Sequence, residues 1–222
     1  MLRALLFDFD GLILDTETPC YEAWNELFKE HGTALPLELW IDIIGRPPGD
    51  HDPLALLESR IGRSLEREPL RQRHREREHR RILEQPVMPG VRELIAAASA
   101  ASMRLAVASS SERPWVEEHL ERIGLLSAFE TLACASDTVP GKPSPAVYLA
   151  AMRALNVRPD ECVALEDSLN GVDAAVAAGV LCVAVPGPLL QSRPFPAAAL
   201  RVDTVAELSI SRLTSLLGSE TL

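Results

Sequence analysis

Phe7-Asp8-Phe9-Asp10-Gly11-Leu12-Ile13-Leu14-Asp15 follows directly on the apolar run Leu2-Arg3-Ala4-Leu5-Leu6. The run reads as a buried strand, and it ends in carboxylates. Asp8 and Asp10 are two residues apart, so on an extended chain both point to one side. Their Cα atoms would then lie roughly 6.6 Å apart. Burying unpartnered acids is costly. Two acids at the carboxyl end of a strand, with Gly11 behind them, therefore point to a cation-and-phosphate site. An Asp-Gly turn with solvated acids is the plainer alternative.

Outward from this stretch, three more short apolar runs read as buried parallel strands, at residues 104–108, 161–165 and 180–185, with a weaker one at 131–134. Helical patterns separate the later strands. Residues 91–101 follow Pro89-Gly90, and residues 114–122 follow Ser109-Ser110-Ser111-Glu112, a plausible cap and first turn. Residues 145–155 open on a proline, and residues 169–178 stop before Gly179. Residues 186–196 read as a Pro-rich loop and residues 204–217 as one terminal helix. Alternating strands and helices predict an α/β fold, a Rossmann-like doubly wound sheet. The gap after the first strand holds no convincing strand. It reads as helices at residues 18–31, 36–44, 53–61 and 66–84. About seventy residues is too long for one crossover, so an inserted helical cap is expected. The predicted division is a core of residues 1–15 and 87–222 and a cap of residues 16–86, placed over the acids as a lid.

The 222 residues carry a formal charge of −10, which argues against a nucleic-acid partner. Residues 71–81, RQRHREREHRR, are basic, but Glu76 and Glu78 interleave as helical partners and no aromatics are available for stacking. That helix reads as a solvated face. The four cysteines show no C-x-x-C spacing, which fits a reducing, cytoplasmic setting. No basic leader or membrane-spanning apolar run is seen, so no membrane association is expected. A monomer is expected, with a dimer as the alternative. Arginine supplies nearly all the positive charge, and Lys29 and Lys142 are the two lysines. A compact, movable ammonium differs from a guanidinium, which draws attention to both positions.

In an open α/β sheet, ligands bind beyond the carboxyl ends of the strands. The first strand ends with Asp8 and Asp10, the second with Ser109, Ser110 and Ser111, and the fourth with Glu166 and Asp167. Gly141-Lys142-Pro143 follows the third. Each piece has a mundane reading: a helix cap for the serines, a surface lysine, a helix N-terminus for Glu166-Asp167-Ser168. Together they match phosphoryl transfer. A carboxylate can attack phosphorus, and crowded carboxylates need a cation, for which Mg²⁺ is expected. Lys142 would neutralise the phosphate, and the Ser109 hydroxyl with nearby backbone N–H groups would supply neutral donors.

On these motifs the chain resembles the haloacid dehalogenase superfamily of hydrolases, and most of all the β-phosphoglucomutase-like phosphatases with a helical cap. D-x-D-G-x-x-x-D at positions 8–15, the small-residue run ending in Ser109, G-K-P at 141–143 and E-D-S-x-x-G at 166–171 match in order across the whole chain. The resemblance implies Asp8 as nucleophile and Asp10 as general acid and base. It implies Ser109, Ser110 and Lys142 as phosphate-binding groups. It implies Mg²⁺ on Asp8, the Asp10 backbone carbonyl, Asp167 and Glu166, with Asp15 structural.

The expected activity is Mg²⁺-dependent hydrolysis of a small phosphorylated metabolite, a sugar- or polyol-phosphate, through an aspartyl phosphate. Asp10 and Glu166-Asp167 argue against dehalogenation, and the position of Lys29 argues against phosphonate cleavage. A phosphomutase is the closer alternative. The resemblance places a His five residues after Asp15 and a cap Arg at position 48 in such mutases, where this chain has Cys20 and Pro48. Alternatives of another class are a receiver-like phospho-signalling protein or a non-catalytic binding protein. Trp24, Arg46 and His51 are the candidates for reading the leaving group.

Overall fold

The computed structural model describes residues 1–44, 52–135 and 141–218. Arg46, His51 and Pro48 lie outside the described residues. Ala4–Phe7 forms the first strand, β1, and the sheet continues with β2 (Arg104–Ser109), β3 (Thr131–Cys134), β4 (Cys162–Glu166), β5 (Leu181–Ala184) and β6 (Leu200–Arg201). Among the described residues these six strands lie in the order β3-β2-β1-β4-β5-β6, and every pairing is parallel. This confirms the doubly wound α/β expectation. The chain order reverses at β1, so the crevice between the ends of β1 and β4 is the topological switch point where ligands bind in such sheets.

The strands read as continuous apolar runs because both faces are covered. Leu5, Phe7, Leu105, Val107, Val163 and Leu165 point to one face, against α5 (Val91–Ala100) and α6 (Arg113–Arg122). Ala4, Leu6, Ala106, Ala108, Cys162 and Ala164 point to the other, against α7 (Ala146–Leu155) and α8 (Leu169–Ala177). The small side chains of that second face let α7 and α8 approach the sheet closely.

Between β1 and α5 the chain forms α1 (Glu17–Glu30), α2 (Leu37–Ile41), α3 (Pro53–Ile61) and α4 (Arg67–Glu84). These helices carry a core of their own, built on Trp24, Leu27, Phe28, Trp40, Leu54, Leu57 and Leu70. The chain leaves and returns side by side: Leu14 bridges Val87, and the Met88 N–H donates to the Ile13 carbonyl at 3.0 Å.

Several expectations are corrected. β6 was not foreseen, since two residues carry no period. The tail divides into a 3-10 turn at Val205–Glu207 and α9 (Ile210–Gly218). The α2 helix stops at Ile41, short of the expected 44. Glu112, not a serine of the run, is the N-cap residue of α6. The acidic partners of the Arg-rich α4 come largely from α1, not from within α4. Arg77 meets Glu30 at 2.5 Å, Arg81 meets Glu22 at 3.3 Å, and Arg73 also reaches Glu30. Such half-exposed pairs each contribute little, but they fasten α4 along α1. Among the described residues, no helix is long and apolar enough to cross a membrane.

Candidate active site

Asp8 follows β1 directly, and its N–H donates to the Leu165 carbonyl of β4 at 3.0 Å. That bond sets it at the switch point. The Lys142 ammonium lies 2.5 Å from Asp8 Oδ1 and 2.6 Å from Glu166 Oε1. The Tyr148 hydroxyl donates to the same Glu166 oxygen, and its ring lies under the ammonium at 5.4 Å. Asp8, Lys142, Glu166 and Asp167 are all buried.

Burial pushes the Asp8 carboxyl well above the usual carboxylate range; Lys142 pulls it down, while Glu166 and Asp10 add to the rise. Burial likewise raises Asp167, with Asp8 and Glu166 reinforcing it. Burial works against the Lys142 ammonium, but Asp8 and Glu166 outweigh it and hold its pKa above the usual lysine value. One ammonium thus faces three buried carboxyl groups, and the ionised cluster lacks compensating charge.

The cluster fits a hard divalent cation. Asp8, Glu166 and Asp167 offer oxygens within 4.8 Å of one another. Glu166 Oε2 is buried without a hydrogen-bond partner. An all-oxygen set of this kind suits Mg²⁺. Two glycines make room for these acids. Gly11 has φ +85°, and a Cβ there would overlap the Asp167 carboxylate. A Cβ on Gly171 would overlap the Glu166 carboxylate.

Asp10 faces a different set of groups. Thr16 Oγ1 and Trp115 Nε1 donate to its Oδ1 at 3.0 and 3.1 Å. Ser111 Oγ donates to Oδ2 at 2.6 Å, and Ser109 Oγ approaches the same oxygen at 3.4 Å. Its carboxylate is no member of the Asp8–Glu166–Asp167 cluster. Donors from the start of α1, from the end of β2 and from α6 therefore hold Asp10 apart from the other acids.

Ser109 and Ser110 have distinct positions. Ser109 Oγ accepts from the Ser111 N–H at 3.0 Å. Ser110 Oγ accepts from the Lys142 N–H at 3.1 Å, which ties the β2 end to the lysine loop. Asp15 Oδ1 accepts from the Thr18 N–H at 3.0 Å and so anchors the start of α1. A cavity of about 480 Å³ opens over Asp8, Asp10, Ser109 and Lys142, and its far wall is Glu17, Cys20 and Glu78 of α1 and α4. Trp24 does not line it. It is buried behind the wall, stacked on His74 with ring centroids 4.0 Å apart.

Sequence reasoning missed Thr16, Ser111, Trp115 and Tyr148 as supports of the acids, and Glu17 and Glu78 as wall residues. Trp115 and Tyr148 sit in helical patterns that read as ordinary packing, so no local signal marked them.

The family model described as haloacid dehalogenase-like hydrolase matches residues 5–185. YhcW of Bacillus subtilis (strain 168), named as a phosphatase by inference, is 43% identical over 220 residues, covering 99% of this chain and 100% of the relative. Hexitol phosphatase B of Escherichia coli (strain K12) is 30% identical over 223 residues, covering 96% of each chain. The crystal structure of CbbY from Rhodobacter sphaeroides in complex with phosphate superposes with a TM-score of 0.77 at 32% identity, over 96% of this chain and 100% of that one.

Proposed function

We propose, for a chain that belongs to the haloacid dehalogenase-like hydrolase family, that it is a Mg²⁺-dependent phosphatase of sugar- or polyol-phosphate monoesters. The observation that carries this reading is the separation of the two first acids. Asp8 shares Lys142 with Glu166 beside Asp167, whereas Asp10 is held by neutral donors 2.6–3.4 Å away. Two acids in two environments suit two roles. The hexitol phosphatase named above supports the polyol-phosphate class by relationship.

In the first step an Asp8 oxygen attacks phosphorus, the bond from phosphorus to the ester oxygen breaks, and Asp10 gives its proton to the departing alkoxide. In the second, Asp10, now a carboxylate, takes a proton from a water that attacks the aspartyl phosphate. The bond from phosphorus to the Asp8 oxygen breaks, phosphate leaves, and Asp8 returns to its starting form. The donors of Thr16, Ser111 and Trp115 suit the carboxylate that accepts that proton. Lys142 holds Asp8 in line and offers positive charge to the phosphoryl oxygens, joined by the hydroxyl of Ser109. Mg²⁺ held by Asp8, Asp167 and Glu166, with the Asp10 carbonyl, would neutralise the carboxylates and the phosphoryl group. Residues 16–86 act as the lid domain over a core of residues 1–15 and 87–222, excluding water while the alcohol departs.

The test is phosphate release from p-nitrophenyl phosphate with and without Mg²⁺, followed by a panel of hexitol phosphates, sugar phosphates and nucleotides. Steady turnover that needs Mg²⁺ and is abolished in Asp8→Asn is expected, with polyol and sugar phosphates ahead of nucleotides. A stable phosphoprotein without turnover would overturn the hydrolase reading. Isomerisation of a sugar phosphate dependent on a bisphosphate primer would replace it with the mutase.

A further inference from the structure

The far wall of the cavity holds a second cluster of metal-ligating side chains that the hydrolytic chemistry does not use. Cys20 comes from α1; His74 and Glu78 come from α4, where i,i+4 spacing puts them on one face. Cys20, His74 and Glu78 offer one sulfur, one nitrogen and one oxygen within 4.8 Å of one another. Cys20 Sγ lies 3.7 Å from His74 Nε2, and the other ring nitrogen, Nδ1, lies 3.6 Å from Glu78 Oε2. The second is too long for a hydrogen bond and the first is a long one. Zn–S and Zn–N bonds of about 2.3 and 2.0 Å at a tetrahedral angle give a ligand–ligand edge of roughly 3.6 Å. With one nitrogen of His74 as donor, the three ligand atoms lie within 4.8 Å of one another, about one ångström wider than that edge, so a modest closing of the side chains onto an ion completes the set.

The surroundings hold the cluster in place. Trp24 stacks on the His74 ring at 4.0 Å and 20°, which fixes the imidazole plane. His74 Nε2 also donates to the Cys20 carbonyl at 3.3 Å, which ties the ring to the helix turn that carries the thiol. His74 is buried, while Cys20 and Glu78 face the cavity. Glu17 and Asp10 line the same space, and Lys142 is the one cationic side chain among the described residues that line it. Arg77 on α4 has its charge engaged by Glu30 at 2.5 Å. The local field on this wall therefore favours a cation.

We propose that Cys20, His74 and Glu78 bind one thiophilic divalent cation, with Zn²⁺ as the ion this donor set fits, and that its open coordination position faces the cavity. Sulfur and imidazole ligands select Zn²⁺ over Mg²⁺, whereas the all-oxygen cluster at Asp8 has the opposite preference. Three protein ligands and one open position make a site that a water or a hydroxyl in the cavity can complete. The ion would tie α1 to α4 and add positive charge opposite the phosphate end. This inference does not rest on the phosphatase reading, because it concerns binding alone.

The test is equilibrium dialysis of the full chain against Zn²⁺ in excess Mg²⁺, with Co²⁺ as a spectroscopic probe. One Zn²⁺ equivalent is expected, with a thiolate-to-cobalt charge-transfer band in the near ultraviolet. Cys20→Ser should remove the band, and Cys20→Ser and His74→Ala should each weaken Zn²⁺ binding by at least about tenfold. Asp167→Asn should leave the band in place. Should Cys20→Ser fail to fold, Glu78→Gln carries the same loss of Zn²⁺ affinity. No bound equivalent, or an equivalent and band unchanged in these variants, would overturn the proposal.

Discussion

Lys142 Nζ sits 2.5 Å from Asp8 Oδ1 in a buried contact, and the same ammonium reaches Glu166 at 2.6 Å. One cation thus ties the end of β1 to the end of β4. Lys142→Ala should leave the buried carboxyl groups unopposed, and breaking such a pair costs about 3–5 kcal/mol. Phosphate release should fall at least a hundredfold, about the scale of losing one electrostatic stabiliser. The melting temperature in chelator should also drop, and Mg²⁺ should restore part of it. A variant as active as the parent would remove Lys142 from the phosphate site.

The buried acids also set a pH dependence. Burial raises Asp8 and Asp167 above their unfolded values, and burial with the nearby Asp10 pushes Glu17 up to about 8. The folded state then keeps protons that the unfolded chain releases, so stability falls as pH rises through this range. In chelator the melting temperature should decline from about pH 5 to pH 8. Saturating Mg²⁺ should flatten that decline, because the cation replaces the protons at Asp8 and Asp167. His74, pushed down to about 4 by burial, has the opposite sign and loses stability as pH falls below its unfolded value. It affects both titrations alike and cancels in their difference. Parallel curves with and without Mg²⁺ would contradict the assignment of the cation to these acids.

Gly171 lies in the first turn of α8, where Gly→Ala in an ordinary helix gains about 1 kcal/mol. Here the added Cβ would overlap the fully buried Glu166 carboxylate. Gly171→Ala should therefore lower the melting temperature and cut turnover by about a hundredfold through displacement of Glu166. A stabilised, fully active variant would show that Glu166 has room to move.

Trp115 donates to Asp10 Oδ1 at 3.1 Å. Trp115→Phe keeps the bulk and removes the donor. The loss of one hydrogen bond should slow breakdown of the aspartyl phosphate by roughly tenfold, with less effect on its formation. Rapid-quench measurement with p-nitrophenyl phosphate should show phosphoprotein accumulating. Unchanged burst and steady-state phases would mean that the indole serves packing alone.

Asp8 and Asp10 follow β1, Glu166 closes β4 with Asp167 behind it, and Lys142 lies between β3 and α7; they were legible because parallel strands bring their carboxyl ends to one rim whatever the packing details. The inserted helices were legible as a stretch with helical period and no strand. Thr16, Ser111, Trp115 and Tyr148 were not, because a donor aimed at a distant carboxylate leaves no period or motif in its own neighbourhood. The serine run shows the limit most plainly. As a local pattern it reads as a helix cap, yet Ser111 turns to Asp10 and Ser110 to the Lys142 backbone.

The order of apolar runs and acids along the chain determined by itself the parallel sheet, the inserted helices and the rim of charged groups, since periodicity and strand-end position are local properties. Only the tertiary structure decided which acid shares the ammonium, which acid is held by neutral donors, and that Cys20 meets His74 and Glu78. Those outcomes depend on side-chain directions and on the angle between packed helices, which long-range packing selects.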